Sequence, residues 1–266
     1  MSKLNLHWQN TANWMHRVEF SAPYVKLMDP PENNIFPGKM TIGRVYMSDG
    51  EEGAYYTRGH AGGAAYFERC LSWYKRAPYI HAWECFNEPA VIKTTTERDA
   101  LDGATVEWCH MMHACGLKCV VGNFSERNPP EGTISDFWRM LSTADYLGLH
   151  MYGAPSMHTE SEGHALRYRQ LEAEISEADI GAPMPPILIG ECGIDLGIIG
   201  RGRKGWQKMP GLDWGEYRDE LVWYDSELAK DPYIYGAFMF TAAPSKDWRT
   251  FGITEKQARD LARRLR

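Results

Sequence analysis

Two glutamates stand where apolar runs give out, a placement from which carboxyl groups can do acid/base and nucleophilic chemistry. Glu88 closes Trp83-Glu84-Cys85-Phe86-Asn87-Glu88-Pro89. Tyr79, Ile80, Ala82 and Trp83 lead into it with strand-like composition, and Pro89 cannot continue a central sheet ladder. Glu191 follows Pro186-Ile187-Leu188-Ile189-Gly190 in the same way. Between them, Gly148-Leu149-His150-Met151-Tyr152 ends a further apolar run with a histidine and a tyrosine. Glycosidic hydrolysis needs one protonated carboxyl group to help the leaving oxygen depart. It needs a second, ionised one to attack or stabilise the anomeric carbon. Mutual charge and unequal surroundings are what hold two such groups at different pKa values.

The elements that must position these residues alternate along the chain. Strands are expected at Leu4–Gln9, Tyr24–Met28, Met40–Met47, Tyr79–Phe86, Leu117–Asn123, Tyr146–Met151, Ile187–Gly190 and Ile234–Phe240. Helices are expected at Thr11–Phe20, Ala64–Lys75, Glu97–Cys115, Ile134–Ser142, Gly163–Ala178, Gly215–Lys230 and Thr254–Leu265, with Gly116 as a C-terminal cap. Asp29-Pro30-Pro31 replaces the second helix by a short Pro/Asn-rich segment, and a glycine-rich loop follows the third strand. Eight β/α units in 266 residues, with no linker, predict one (β/α)8 TIM barrel domain over 1–266. No GxGxxG follows the first strand, which argues against a dinucleotide-binding sheet. In such a barrel the active site forms at strand C-termini. Those ends carry Trp8, Asp29, Tyr46, Asn87, Glu88, Asn123, His150, Tyr152 and Glu191.

Composition narrows the function classes. A net charge of −6 argues against a nucleic-acid partner, which needs a basic surface to displace counterions. No apolar run reaches the ~18 residues of a membrane span, so no membrane partner is expected. No signal-peptide pattern opens the chain as given; it reads as soluble, either cytoplasmic or secreted with its leader removed. Ten Trp and fourteen Tyr are compatible with sugar-binding platforms as well as with an ordinary core. The six cysteines contain no CxxC pair, and burial as small apolar residues is expected.

Trp83 to Pro89 resembles the strand-four signature of the clan A glycoside hydrolases. Gly190-Glu191 is similar to their strand-seven nucleophile site, and His150-Met151-Tyr152 to the His-x-Tyr ending strand six. The resemblance implies a retaining β-glycoside hydrolase acting on an oligo- or polysaccharide, with Glu88 as acid/base and Glu191 as nucleophile. The short second βα unit and compact length point to an open groove and internal attack on a polymer. The resemblance further implies that Asn87 bonds the sugar 2-hydroxyl, that Tyr152 orients Glu191 and that His150 lines the same subsite. The carboxyl separation expected for retention is ~5–5.5 Å, against ~6.5–9.5 Å for inversion. Many clan members carry a Trp at the end of strand eight. Here Phe238-Met239-Phe240-Thr241-Ala242-Ala243 stands instead, with Trp248 later.

Other features carry competing readings. Trp8 and Trp248 are candidate sugar platforms, with packing as the alternative. Glu84 shares a pleat side with Glu88 by spacing and is expected to pair with Arg44. The basic loop Gly200-Arg201-Gly202-Arg203-Lys204-Gly205-Trp206 is either a mobile surface segment or a cover for the saccharide. His7, Asp29, His81, His150 and Glu191 offer metal ligands in principle. However, neither a His-x-His on strand one nor a His-Glu-x-x-His helix occurs, and His110 and His113 sit on an outer helix. No metal and no cofactor are expected. A G-x-S-x-G elbow is missing too. The alternatives to a glycosidase are a carbohydrate-binding barrel without catalysis and a metal-dependent barrel hydrolase.

Overall fold

A computed structural model describes residues 1–90, 93–158, 164–178 and 180–266. Eight parallel strands close in sequence order: β1 Leu4–Trp8, β2 Tyr24–Met28, β3 Met40–Arg44, β4 Ala82–Glu84, β5 Cys119–Phe124, β6 Tyr146–Gly153, β7 Ile187–Ile194 and β8 Ile234–Ala242. The helices are α1 Asp49–Tyr56, α2 His60–Arg76, α3 Thr95–Ala114, α4 Trp138–Thr143, α5 Tyr168–Ala178, α6 Trp214–Leu228 and α7 Glu255–Arg264. This is the expected (β/α)8 barrel. No helix among the described residues is long and apolar enough to cross a membrane.

Alternation along the strands divides the apolar residues. One set faces outward and packs under the helices, with Trp108, Tyr66, Phe137, Tyr168 and Tyr217 all buried there. The inward set forms a floor of Tyr24, Ile42, Ala82, Val120, Tyr146, Leu188 and Phe238. Two residues further along their strands, Lys26, Arg44 and Glu84 take the same inward side, so a charged layer lies directly above the apolar one.

Several expected elements differ. Thr11–Phe20 contains only a 3-10 turn, Met15–Arg17, with no side-chain cap, because Trp14 packs its ring 4.6 Å from that of Trp8 and Val18 is already extended. The loop expected after β3 contains α1 despite Gly50 and Gly53. Ser48 and Glu51 form a reciprocal capping box that supplies its first turn. Thr94 and Glu97 do the same for α3, and Gly116 follows it at φ 72°. β4 is three residues long rather than spanning Tyr79–Phe86, and β3 ends at Arg44 rather than Met47. β7 runs past Gly190 to Ile194. The expected start of the fifth helix, Gly163, lies outside the described residues. All six thiols are free, with Cys115 exposed and the other five buried.

Candidate active site

Glu191 is aimed by an irregularity of the sheet. Along β7, Leu188 and Gly190 share the inward side, so strict alternation would turn Glu191 outward. The register between β6 and β7 slips there, with Leu149 opposite Ile189 but His150 opposite Glu191. The extra residue rotates Glu191 into the barrel, the usual effect of a bulge beside a site. Gly190 suits this close packing: a Cβ there would come 3.0 Å from Glu84 Oε1 and 3.1 Å from His150 Nε2, tighter than side chains usually pack.

Inside, Glu191 lies in a ring of donors and cations. Tyr152 donates its hydroxyl to Oε2 at 2.7 Å. His7 Nδ1, Lys26 Nζ and Arg44 lie 3.5, 3.7 and 3.8 Å from Oε1, and His150 Nδ1 lies 3.7 Å from Oε2. Burial alone would raise its pKa, but His150, Lys26, His7 and Arg44 together outweigh it and hold the carboxyl well below the usual range. Burial and the charge of Glu191 push the Tyr152 hydroxyl well up, so it remains a neutral donor.

Glu88 stands beyond the end of β4 with φ 39°, in the left-handed region that a non-glycine residue adopts only under constraint. Its N–H donates to Asn123 O at 3.1 Å, and the Asn123 amide reaches back to Phe86 O at 3.1 Å. Asn123 can occupy that place because Gly148, across the sheet, has no side chain; a Cβ there would lie 2.0 Å from Asn123 Oδ1. Glu88 Oε1 is 2.9 Å from His150 Nδ1. The half-buried Glu88 and buried Glu191 approach within 4.8 Å through one oxygen of each.

The two carboxylates share a cavity of about 230 Å³ whose lining also includes Asn87, Tyr152, Trp248 and Phe251. Asn87 is held from behind, its backbone N–H donating to Glu52 Oε2 at 2.5 Å. Glu52 is buried in α1, and burial, against the opposing effect of Arg44, pushes its pKa up to about 7. Trp248 sits on the turn Lys246–Phe251, its ring 5.3 Å from Phe240, so the chain after β8 returns an indole to the cleft. The Arg201–Trp206 segment is pinned at its far end, where buried Trp206 stacks on Tyr217 at 4.8 Å. Arg203 reaches the cleft and lies 5.8 Å from the Trp248 ring.

Four expectations require correction. Trp8 is no platform: it is 2 % exposed and enclosed by Trp14 and Phe36, since its outward parity on β1 sends it under the surrounding chain. His150 is fully buried and does not line the cavity; it bonds Glu88 from behind. The ion-pair partner of Glu84 is Lys26 at 2.8 Å, whereas Arg44 reaches Glu52 and Glu191. The pleat-parity link between Glu84 and Glu88 also fails, because the ladder ends at Glu84 and a left-handed turn aims Glu88. Lys26 itself was recoverable from sequence: a lysine sharing a strand face with Tyr24 and Met28 has no water to face inside a barrel. Glu52 gave no such signal, since α1 read as a loop.

Glu88, His150 and Glu191 are close enough to share a cation, but Lys26 and Arg44 already supply positive charge to Glu191. A metal ion there would meet that repulsion.

The fold thus sets two strand-end carboxylates in one cavity of a (β/α)8 barrel. Solved structures with the same architecture bear out the clan A resemblance at the level of fold. A GH128 subgroup II endo-β-1,3-glucanase from Sorangium cellulosum aligns with TM-score 0.57 and 16 % identity over 99 % of this chain and 97 % of its own. A GH128 subgroup I endo-β-1,3-glucanase from Amycolatopsis mediterranei, in complex with laminarihexaose, gives TM-score 0.59 and 13 % identity over 99 % of both chains. A GH2 β-galacturonidase from Eisenbergiella tayi gives 0.56 and 14 % over 92 % of this chain and 45 % of its own. No protein-family model matches the sequence, and no curated protein does.

Proposed function

We propose that this protein is a retaining β-glycoside hydrolase working by double displacement, with Glu88 as acid/base and Glu191 as nucleophile. One observation carries the reading: two carboxylates face each other across one cavity within 4.8 Å, in unlike environments. A closest approach under 4.8 Å falls short of the ~6.5–9.5 Å that inverting enzymes need to admit a water, and so favours retention. The ionised Glu191, steadied by Tyr152 and its cationic neighbours, attacks the anomeric carbon. Glu88 delivers its proton to the departing oxygen, leaving a glycosyl ester on Glu191. In the second half-reaction Glu88 takes a proton from water, which attacks the same carbon and frees Glu191. His150 orients the Glu88 carboxyl for both transfers. Asn87 is the candidate partner for the 2-hydroxyl, and Trp248 for the face of a ring.

Cavities of about 440 and 410 Å³ adjoin the central one, which favours a groove running past the scissile bond and internal attack on a polymer. β-1,3-Glucans, the substrates of the GH128 neighbours, are the first to test. The expected result is cleavage of laminari-oligosaccharides with β-anomeric product seen first by NMR. Azide should rescue Glu88→Ala to a β-glycosyl azide. Wild-type turnover unchanged in both Glu88→Ala and Glu191→Ala would overturn the assignment. Calorimetric binding of glycans without any product would indicate a binding barrel instead.

A further inference from the structure

The cavities beside Glu88 differ in which carboxylate they see. The central one is lined by Glu88 and Glu191 together, so it must receive the anomeric carbon. Its neighbours of about 440 and 410 Å³ are both lined by Glu88 and not by Glu191, and the larger is also bounded by Ser125, Glu126, Arg127, Asp195 and Arg203. A group in contact with the acid but not with the nucleophile stands where the leaving group stands. Glu126 follows β5 directly, and its Oε1 is buried with no hydrogen-bond partner among the described residues. Native proteins rarely leave such an oxygen unpaired, and a bound hydroxyl would satisfy it. Asp195 on the opposite wall is already engaged, accepting from Gly197 N at 2.8 Å.

We infer that the larger of these two cavities, the one that Glu126 lines, is the leaving-group subsite and that Glu126 binds the leaving sugar there through a hydroxyl hydrogen bond. The inference rests on the glycosidase reading above and adds a specificity residue to it. Burial, and then the charges of Glu88, Asp195 and Glu191, push the Glu126 carboxyl up to about 8. At neutral pH it therefore offers one O–H to donate and one oxygen to accept, a match for a neutral sugar hydroxyl.

The test compares two substrates that differ only on the leaving side. Dinitrophenyl β-laminaribioside places no sugar in this subsite, whereas laminari-oligosaccharides do. Glu126→Ala should lower kcat/KM on laminaripentaose by ~10-fold or more and leave the aryl substrate within about 2-fold. Glu126→Gln, which keeps a donor and an acceptor, should stay within about 3-fold of wild type on both. With laminaribiose added as acceptor, Glu126→Ala should also form less transfer product relative to hydrolysis. Equal losses on both substrates, or no loss on either, would overturn the subsite assignment while leaving the glycosidase reading intact. A wild type inert on both substrates would overturn both.

Discussion

Two layers of the barrel interior lie one pleat apart and meet opposite needs. The lower is apolar: Tyr24, Ile42, Ala82, Val120, Tyr146, Leu188 and Phe238 fill the barrel and exclude water. The upper is polar and largely ionic: Lys26, Arg44, Glu84 and Glu191 are buried beside His7 and His150, with Lys26 bonded to Glu84 and to Gly190 O. The same period-two alternation builds both, so the difference lies in side-chain chemistry alone. Burying charges is costly, and replacing such pairs with apolar residues is often neutral or stabilising. A sequence selected for stability alone would continue the floor upward. The charged layer is therefore explained by the field it sets around Glu191, and the floor by the water it keeps away from that field.

That contrast can be broken at several points. The largest effect is expected for Glu191→Ala, with kcat on an activated aryl glycoside falling by ~10⁴-fold or more and the thermal transition retained.

Lys26→Met should lower stability by ~3–5 kcal/mol, because it leaves Glu84 buried without its cation. The double variant Lys26→Met/Glu84→Leu should recover most of that in denaturant titrations but not the activity. Recovery of both would show that the charged layer is structural only. In the floor, Leu188→Ala should cost ~2–5 kcal/mol and leave kcat per folded molecule within a few-fold, the opposite pattern.

The pH dependence sharpens the same point. Glu191 is depressed in the folded state, so its contribution to stability is fully present above the unfolded glutamate value of ~4.3 and is lost as pH falls through the lower folded value. Denaturation midpoints of wild type and Glu191→Gln should therefore converge on acidification in that window; parallel curves would contradict the depressed carboxyl. The smallest effect is expected at the rim, where Trp248→Ala should raise KM by ~10-fold with little change in stability.

Much of this molecule was legible along the chain. The Val, Ile, Leu and aromatic runs set the eight strands in place, and Asn87-Glu88-Pro89, His150-Met151-Tyr152 and Gly190-Glu191 marked the strand ends that carry polar chemistry. Misreadings arose where local pattern met a nonlocal constraint. Trp8 looked like a cleft aromatic because it ends β1, but outward parity and Trp14 bury it. Glycines hid α1, whose capping box outweighs them, and with it Glu52 behind Asn87. The strand-eight tryptophan looked lost, yet the turn after β8 places Trp248 against Phe240.

By itself the sequence determined the barrel and the identity of its candidate acids, because both follow from short-range periodicity and from residue types where apolar runs stop. Only the tertiary structure decided where those acids point. The slip at Gly190 and the left-handed turn at Glu88 are each held by neighbouring strands, so no local pattern could announce them. The same holds for the polar groups around Glu191, which come from β1, β2, β3 and β6 and meet only when the barrel closes.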